Sequence, residues 1–228
     1  MQSIRGVVFD LDGTLVEFKI DYKSMRAEMI QALEKLGLSR DVFSIKDDLS
    51  KLLEKSEFLL QHSPELGVSL EEVRQTLFDI ADKYEMEAAR QVGLIPGAKE
   101  ALQRVLDMEL KTGLFTSNGF RATTLILQRF NLERFFEVVV PRENAPAIKP
   151  NPSHLFAVVY PMRLEPEQVV VVGDTVLDVS CAKIAGAKAV AVTTGPNTRK
   201  ELLRAGADMV ISTVFDVPDA LKALAEES

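Results

Sequence analysis

The sequence predicts an α/β fold, in which a doubly wound parallel sheet carries an inserted all-helical segment near its N-terminal end. After about residue 94, short runs rich in valine and isoleucine alternate with helical patterns, which is typical of parallel strands joined by helices. Residues 21–90 instead carry apolar residues at helical spacing and no strand pattern. Because the strand segments are almost continuously β-branched, we expect both faces of the sheet to be covered.

The first strand is predicted at residues 4–10, and three helices follow it. The first of these helices ends near Gly37, because glycine is common just beyond the C-terminal end of a helix. The third begins at Ser69, which fits a capping box together with Glu72. Their predicted spans are about 21–36, 41 or 45 to 60, and 69–90. The later strands are predicted at 110–116, 136–140, 168–173, 188–193 and 208–211. The helices between them are predicted at 98–108, 120–130, 151–160 and 176–185.

Composition narrows the possible classes of protein. The 228 residues are 46% hydrophobic and 27% charged, enough for one large domain or a core with a smaller insertion. The net charge is −7 without a block of like charges, so no nucleic acid partner is expected, and no apolar run predicts a membrane span. A single cysteine, Cys181, excludes an internal disulfide and favours a reducing, cytoplasmic location. Two distant histidines, His62 and His154, argue against a zinc site or a Ser-His-Asp triad.

The run VVFDLDGTLVE at residues 7–17 is the strongest chemical signal in the chain. It places Asp10 and Asp12 at the end of a buried strand, followed at once by the turn residue Gly13 and by Thr14. Two carboxylates at a strand tip can meet one hard cation, because such cations prefer oxygen ligands. With a cation to offset the charge of an incoming anion, a carboxylate can attack phosphorus. The run therefore predicts phosphoryl chemistry through an aspartyl-phosphate.

Further polar residues follow other predicted strands, where a doubly wound sheet binds its ligands. Thr116 and Ser117 end one strand and precede a helix, so either hydroxyl is a candidate phosphate ligand, with Thr116 favoured. Lys149 precedes a proline, which biases its backbone toward an extended conformation. Asp174 follows a third strand and is predicted as the third metal carboxylate. Three roles stay open for Asp178, one helical turn later: binding the metal through water, orienting Lys149, or complementing the helix N-terminus.

In this order, the segments D-x-D-G-T, hydroxyl, lysine and G-D-x-x-x-D closely resemble those of the haloacid dehalogenase-like (HAD) hydrolase superfamily. The resemblance covers the whole chain and favours the phosphoglycolate phosphatase-like branch, which has an α-helical cap. It implies a Rossmann-like catalytic core formed by residues 1–15 and 94–228, with the cap at 16–93. It also implies Mg²⁺ as the cofactor and a small phosphorylated metabolite as the substrate.

The resemblance implies a role for each matching residue. Asp10 would be the nucleophile, and Asp12 the general acid and then base, with its backbone carbonyl also contacting Mg²⁺. Thr116 would bind the phosphoryl group, with Ser117 as the alternative, and Lys149 would neutralise both Asp10 and the phosphate. The implied metal ligands are Asp10, Asp12 and Asp174, with Asp178 as a possible addition.

Two alternatives to a phosphatase remain open on the sequence. Asp12 argues against a dehalogenase, since family members that act on carbon lack the second aspartate, but a phosphosugar mutase would also use Asp10 and Asp12. The other alternative is a non-catalytic phosphate-binding regulatory protein, which the intact set of carboxylates and Lys149 disfavours. The identity of the substrate stays open, and either a monomer or a homodimer fits the sequence.

Overall fold

The structure, a computed structural model, describes residues 4–226. The chain divides into two compact units. One comprises Met1–Lys19 together with Gln91–Ser228, and the other comprises Ile20–Arg90. The segments that join the units in sequence, near 16–19 and 91–97, include an antiparallel bridge between Val16 and Leu94. In the part of the chain that the structure describes, no helix is both long and apolar enough to cross a membrane.

The larger unit is built on one parallel sheet of six strands. In chain order the strands are β1 Gly6–Phe9, β2 Lys111–Phe115, β3 Val138–Val140, β4 Val169–Gly173, β5 Lys188–Val192 and β6 Met209–Ile211. Their order across the sheet is β3-β2-β1-β4-β5-β6, so the first strand lies in the middle. The order reverses beside β1, and a crevice forms at the carboxyl ends of strands at such a switch point. The predicted doubly wound, Rossmann-like fold class is confirmed.

The register of the strands aligns the ends of β1, β2 and β4. Phe9 pairs with Leu114 on one side and with Val172 on the other. The backbone N–H of Asp10 then donates to the carbonyl of Val172 at 2.8 Å. Residues that directly follow these three strands therefore lie at one level of the sheet edge.

Nine helices are assigned in residues 4–226, and six of them belong to the larger unit or its connections. The nine are α1 Tyr22–Lys35, α2 Leu49–His62, α3 Leu70–Gln91, α4 Ala98–Asp107, α5 Phe120–Phe130, α6 Pro152–Val159, α7 Val176–Ala185, α8 Arg199–Arg204 and α9 Val217–Glu226. Every residue of β1 and β4 is buried. Alternate strand residues such as Val8 and Val171 pack with Val158 and Val179 of α6 and α7. Both faces of the central strands are therefore covered, as their valine-rich sequences predict.

The smaller unit consists of α1, α2 and most of α3, and no strand is assigned between residues 20 and 90. Its core joins Met29 and Leu33 of α1, Leu52 of α2, and Leu77 of α3. Asp side chains cap the first two helices, and the hydroxyl of Ser69 accepts a hydrogen bond from the backbone N–H of Glu72 at 3.1 Å. Apolar residues at helical spacing can be buried here only by facing one another across the three helices.

Several element bounds differ from the sequence prediction. The second helix begins at Leu49 because Asp48 caps it, and Arg40–Val42 forms a separate 3₁₀ turn. Strand β3 begins at Val138 rather than 136, since a 3₁₀ turn occupies Glu133–Phe135 immediately before it. The short helix α8 and the C-terminal helix α9 were not predicted. Six residues of α8 are too few for a periodic pattern to be recognised.

Candidate active site

Asp10 lies directly after the central strand and is buried, with 6% of its surface exposed. Its Oδ1 accepts a hydrogen bond from Lys149 Nζ at 2.5 Å. The same ammonium donates to Asp178 Oδ1 at 2.6 Å, and it lies 4.2 Å from the centroid of the Phe115 ring. The structure thus brings together three of the sequence-predicted residues, although they are far apart in the chain.

Burial and charge act in opposite directions on the ionisation of these groups. Burial raises the pKa of Asp10 to about 6, while the positive charge of Lys149 opposes that rise. Burial alone would lower the pKa of Lys149, but the negative charges of Asp10 and Asp178 raise it above its usual value. At neutral pH the lysine is therefore charged and Asp10 is ionised, as a nucleophilic carboxylate has to be.

Asp174 follows β4 and has no exposed surface. Its Oδ1 accepts a hydrogen bond from the Thr14 hydroxyl at 3.2 Å, whereas its Oδ2 is buried and accepts none from residues 4–226. Burial, together with repulsion from Asp10 and Asp178, raises the pKa of Asp174 well above its usual range. A buried carboxylate oxygen without a donor calls for a cation or a proton.

The surroundings of Asp174 fit a small cation. Ligand atoms of Asp10, Asp174 and Asp178 lie within 4.8 Å of one another, and carboxylate oxygens suit a hard divalent ion. A Cβ added to Gly13 or to Gly195 would overlap the Asp174 carboxylate. The two glycines therefore provide the space in which this side chain faces the cluster.

Asp178 has little capacity left for a metal. Its Oδ1 accepts from Lys149, and its Oδ2 accepts from both the backbone N–H and the hydroxyl of Thr175, at 2.9 and 2.6 Å. The Thr175 hydroxyl in turn accepts from the Asp178 backbone N–H at 3.3 Å, which completes a capping box at the start of α7. Of the three roles that the sequence leaves open, the geometry favours orienting Lys149 and capping the helix.

Asp12 is buried but lies outside the three-carboxylate cluster. Its Oδ2 accepts a hydrogen bond from Asn118 Nδ2 at 2.5 Å. The family resemblance implies that Asp12 contacts the metal through its backbone carbonyl. The position of the side chain, bonded to Asn118, is consistent with that assignment.

The two candidate phosphate ligands differ in environment. Thr116 is buried, and its hydroxyl oxygen accepts the backbone N–H of Asn118 at 3.1 Å while its proton is left to be donated. Ser117 is partly exposed, and its carbonyl accepts a hydrogen bond from Arg142 Nη1 at 2.9 Å. Both residues lie in the loop between β2 and α5.

The sequence analysis named Thr14 in the D-x-D-G-T segment without giving it a role, and it did not single out Asn118 or Arg142. The first two lie beside recognised motif residues, so their positions carried a signal. Arg142 carried none, because an arginine two residues after a short strand is ordinarily a solvated side chain. His154 is buried in the core: its Nε2 lies 3.2 Å from the carbonyl of Val140, and burial lowers its pKa to about 4.

Comparison with known proteins identifies the family. A profile of the family described as "Haloacid dehalogenase-like hydrolase" matches residues 7–192, which include every candidate residue discussed above. The chain belongs to the haloacid dehalogenase-like hydrolase family. The membership that the four motifs predicted is confirmed.

The relatives of this HAD-like chain extend over nearly its whole length. It is 28% identical to a phosphoglycolate phosphatase from Salmonella typhi, over 97% of this chain and 94% of that protein. A phosphoglycolate phosphatase from Escherichia coli O157:H7 is 27% identical, over 96% and 93% of the two chains. The branch of the family suggested by the motifs is therefore the one in which these relatives fall.

Solved structures share the fold. A hydrolase from Pseudomonas syringae gives a TM-score of 0.70 at 24% identity, and the match covers 96% of this chain and 99% of that one. A structure described as a candidate beta-phosphoglucomutase from Thermotoga maritima gives a TM-score of 0.64 at 26% identity, with 97% and 100% covered.

Proposed function

We propose that this protein is a magnesium-dependent phosphatase that hydrolyses a small phosphorylated metabolite through an aspartyl-phosphate on Asp10. The observation that carries the proposal is the buried pair of Asp10 and Lys149 beside the unpartnered oxygen of Asp174. Family membership and the phosphoglycolate phosphatases among the relatives support the class of phosphomonoesterase. The single, buried Cys181 supports the predicted cytoplasmic location.

The chain's own residues supply the bond-making groups. A carboxylate oxygen of Asp10 attacks the phosphorus atom, and the bond from phosphorus to the leaving alcohol oxygen breaks. Asp12, in its protonated form, gives that oxygen its proton. Asp12 then accepts a proton from water as the water oxygen attacks phosphorus, which releases phosphate and restores Asp10. The proton that Asp12 loses in the first step is replaced by the proton that it takes from water in the second.

Charge at the site is managed by fixed groups. Lys149 offsets the negative charge of Asp10 and of the phosphoryl oxygens, and Asp178 holds its ammonium in place. Thr116 donates its hydroxyl proton to a phosphoryl oxygen, with Ser117 as the second candidate. Asp10, Asp174 and the Asp12 carbonyl are the groups that would hold Mg²⁺, which when bound supplies positive charge to the phosphoryl oxygens.

The variant Asp10→Asn tests the covalent route. An amide is a far poorer nucleophile than a carboxylate, so we expect phosphate release from a panel of phosphorylated metabolites with Mg²⁺ to fall to background. The side chains are nearly the same size, and circular dichroism should report an unchanged fold. A folded Asp10→Asn protein that releases phosphate at the wild-type rate would refute the assignment.

A phosphosugar mutase is the second candidate, because a structure described as a candidate beta-phosphoglucomutase covers almost the whole chain at 26% identity. Both activities would use Asp10 and Asp12. Incubation with a sugar monophosphate and a catalytic amount of the corresponding bisphosphate separates them. A phosphatase yields free phosphate, whereas a mutase yields the isomeric sugar phosphate with little phosphate.

A further inference from the structure

We propose that Asn118 is a positioning residue that fixes the carboxyl group of Asp12 for proton transfer, and that Arg142 holds Asn118 in place. The inference deepens the proposed function and rests on it. Asn118 Nδ2 donates to Asp12 Oδ2 at 2.5 Å, and both side chains are almost completely buried. The two residues are 106 positions apart, so only the fold brings them together.

The chemical type of Asn118 suits a carboxyl group that has to gain and lose a proton. Its neutral amide donates to Oδ2 of Asp12, which sets the direction in which the carboxyl group points. A neutral amide stabilises the ionised form by a hydrogen bond alone. A lysine at the same place would add a full positive charge and hold Asp12 ionised, as Lys149 does for Asp10. The side chain therefore orients Asp12 by a hydrogen bond without placing a full charge beside it.

The backbone of Asn118 is itself held on both sides. Its N–H donates to the hydroxyl oxygen of Thr116 at 3.1 Å. Its carbonyl accepts the backbone N–H of Arg142 at 2.9 Å. With both main-chain groups engaged, the amide side chain starts from a fixed Cα and needs little additional ordering to reach Asp12.

Arg142 fixes the same loop through its side chain. Only 1% of this arginine is exposed, and its Nη1 donates to the carbonyl of Ser117 at 2.9 Å. The neighbouring Glu143 accepts the backbone N–H of Phe120 through Oε2 at 2.8 Å, while its Oε1 lies 3.4 Å from Arg142 Nη2. The turn after β3 therefore bonds to two residues of the loop between β2 and α5 and to the first residue of α5. Burying a charged guanidinium costs free energy of desolvation, which argues that its planar set of N–H donors has a specific use here.

The proposal predicts a dependence on the leaving group that a general loss of structure would not produce. Proton donation by Asp12 matters when the leaving oxygen is strongly basic, as in an alkyl phosphate. It matters little for p-nitrophenyl phosphate, whose phenolate leaves without a proton. A misplaced Asp12 should therefore slow the alkyl ester selectively and leave the aryl ester nearly unaffected.

The experiment compares kcat/KM for glycerol phosphate and p-nitrophenyl phosphate, with Mg²⁺, in wild-type protein and in Asn118→Ala. We expect a loss of about 100-fold for the alkyl ester and of less than about 5-fold for the aryl ester, since general acid catalysis contributes in that range. Asn118→Asp, which keeps the shape but replaces the donor by a carboxylate, should behave like Asn118→Ala. Arg142→Lys, which keeps the charge but loses the fork, should show the same selectivity with a smaller loss.

Thr123→Ala is the matched control. Its buried hydroxyl lies in the first turn of α5, close in sequence to Asn118, and donates to the carbonyl of Gly119 at 2.9 Å. We expect it to affect the two esters equally. Equal losses for both esters in Asn118→Ala, or no loss at all, would overturn the proposal.

A measurement without turnover keeps the proposal separate from the proposed function. In ¹⁵N-labelled protein, the side-chain amide signal of Asn118 is identified by its disappearance in Asn118→Ala. It should shift in Asp12→Ala and stay in place in Thr123→Ala. A wild-type protein that releases phosphate from neither ester nor from any member of the metabolite panel would overturn the proposed function. An Asn118 signal that does not respond to Asp12→Ala would overturn the positioning contact.

Discussion

Lys149 contacts two buried carboxylates and the face of an aromatic ring. The ring belongs to Phe115, the last residue of β2, and its other neighbour is the imidazole of His154 in an edge-to-face arrangement at 5.5 Å. A positive charge over a ring face is stabilised by the ring quadrupole, which adds to the attraction of the carboxylates. Because Lys149 carries a full charge close by, His154 is kept neutral, and burial is the larger cause of this.

The neutral state of His154 predicts a loss of stability in acid. Burial lowers its pKa from 6.5 to about 4, so between these values the unfolded chain binds a proton that the folded chain does not. This contribution is fully present above pH 6.5 and is lost progressively as the pH falls toward 4. The expected difference is about 3 kcal/mol in the free energy of unfolding, from the energy equivalent of the pKa shift.

Denaturant unfolding of wild-type protein and of His154→Gln between pH 4 and 7 measures this contribution. The amide of Gln can donate a hydrogen bond, as the imidazole does, but it does not titrate in this range. We expect the two proteins to converge in stability as the pH falls. The exposed His62 of α2 supplies the control His62→Gln. A difference between wild-type protein and His154→Gln that is independent of pH would contradict the prediction.

The capping box at the start of α7 has two functions: it caps the helix and it orients Lys149. Thr175 and Asp178 form a capping box that satisfies backbone N–H groups of the helix, and Asp178 also accepts from Lys149. An identical arrangement of Thr198 and Glu201 caps α8, where both residues are exposed and no lysine of the site is involved. The chain thus contains a purely structural copy of the same motif.

The two capping boxes allow a matched pair of variants. Thr175→Val and Thr198→Val should each lower the free energy of unfolding by about 1 kcal/mol, the usual cost of losing a cap. Only Thr175→Val should also lower phosphate release, by about 10-fold or more, because Asp178 loses the hydroxyl donor of Thr175 and Lys149 loses precise placement. Equal rates in the two variants would show that the α7 box acts on stability alone.

At the scale of the whole molecule, the carboxylate cluster couples metal binding to folding. Asp174 is desolvated and repelled by Asp10 and Asp178, so without a cation its negative charge destabilises the folded chain. A cation that binds only the folded state stabilises it by about 2.7 kcal/mol at a concentration 100 times its dissociation constant. Mg²⁺ should therefore raise the melting temperature of the wild-type protein.

Calorimetry of wild-type protein and Asp174→Asn, each in EDTA and in excess Mg²⁺, tests this coupling. In EDTA we expect Asp174→Asn to be at least as stable as wild type, because a buried charge has been removed. In Mg²⁺ it should gain little or nothing. The exposed Asp219, which pairs with Arg104, supplies the control Asp219→Asn, which should keep the full gain. A Mg²⁺ effect of equal size in Asp174→Asn would argue against a metal at this cluster.

The sequence by itself determined the fold class and the order of nearly all its elements. Continuous runs of valine are typical of parallel strands that are covered on both faces. Helical periodicity identified the helices of residues 20–90. The ends of the predicted strands located Asp10, Thr116 and Asp174, and the proline that follows Lys149 drew attention to this lysine, since ligands bind at the carboxyl edge of such a sheet. Local patterns and short-range sterics carry this information.

Only the tertiary structure decided which of these side chains touch. Lys149 bonds to both Asp10 and Asp178, and one oxygen of Asp174 has no hydrogen-bond donor among residues 4–226. The side chain of Asp12 accepts a hydrogen bond from Asn118. The tertiary structure also buried Arg142, for which no sequence pattern predicts a role. Hydrogen bonds between residues that are distant in the chain depend on register and loop geometry, and desolvation depends on everything packed around a group. Neither quantity is encoded in a local stretch of sequence.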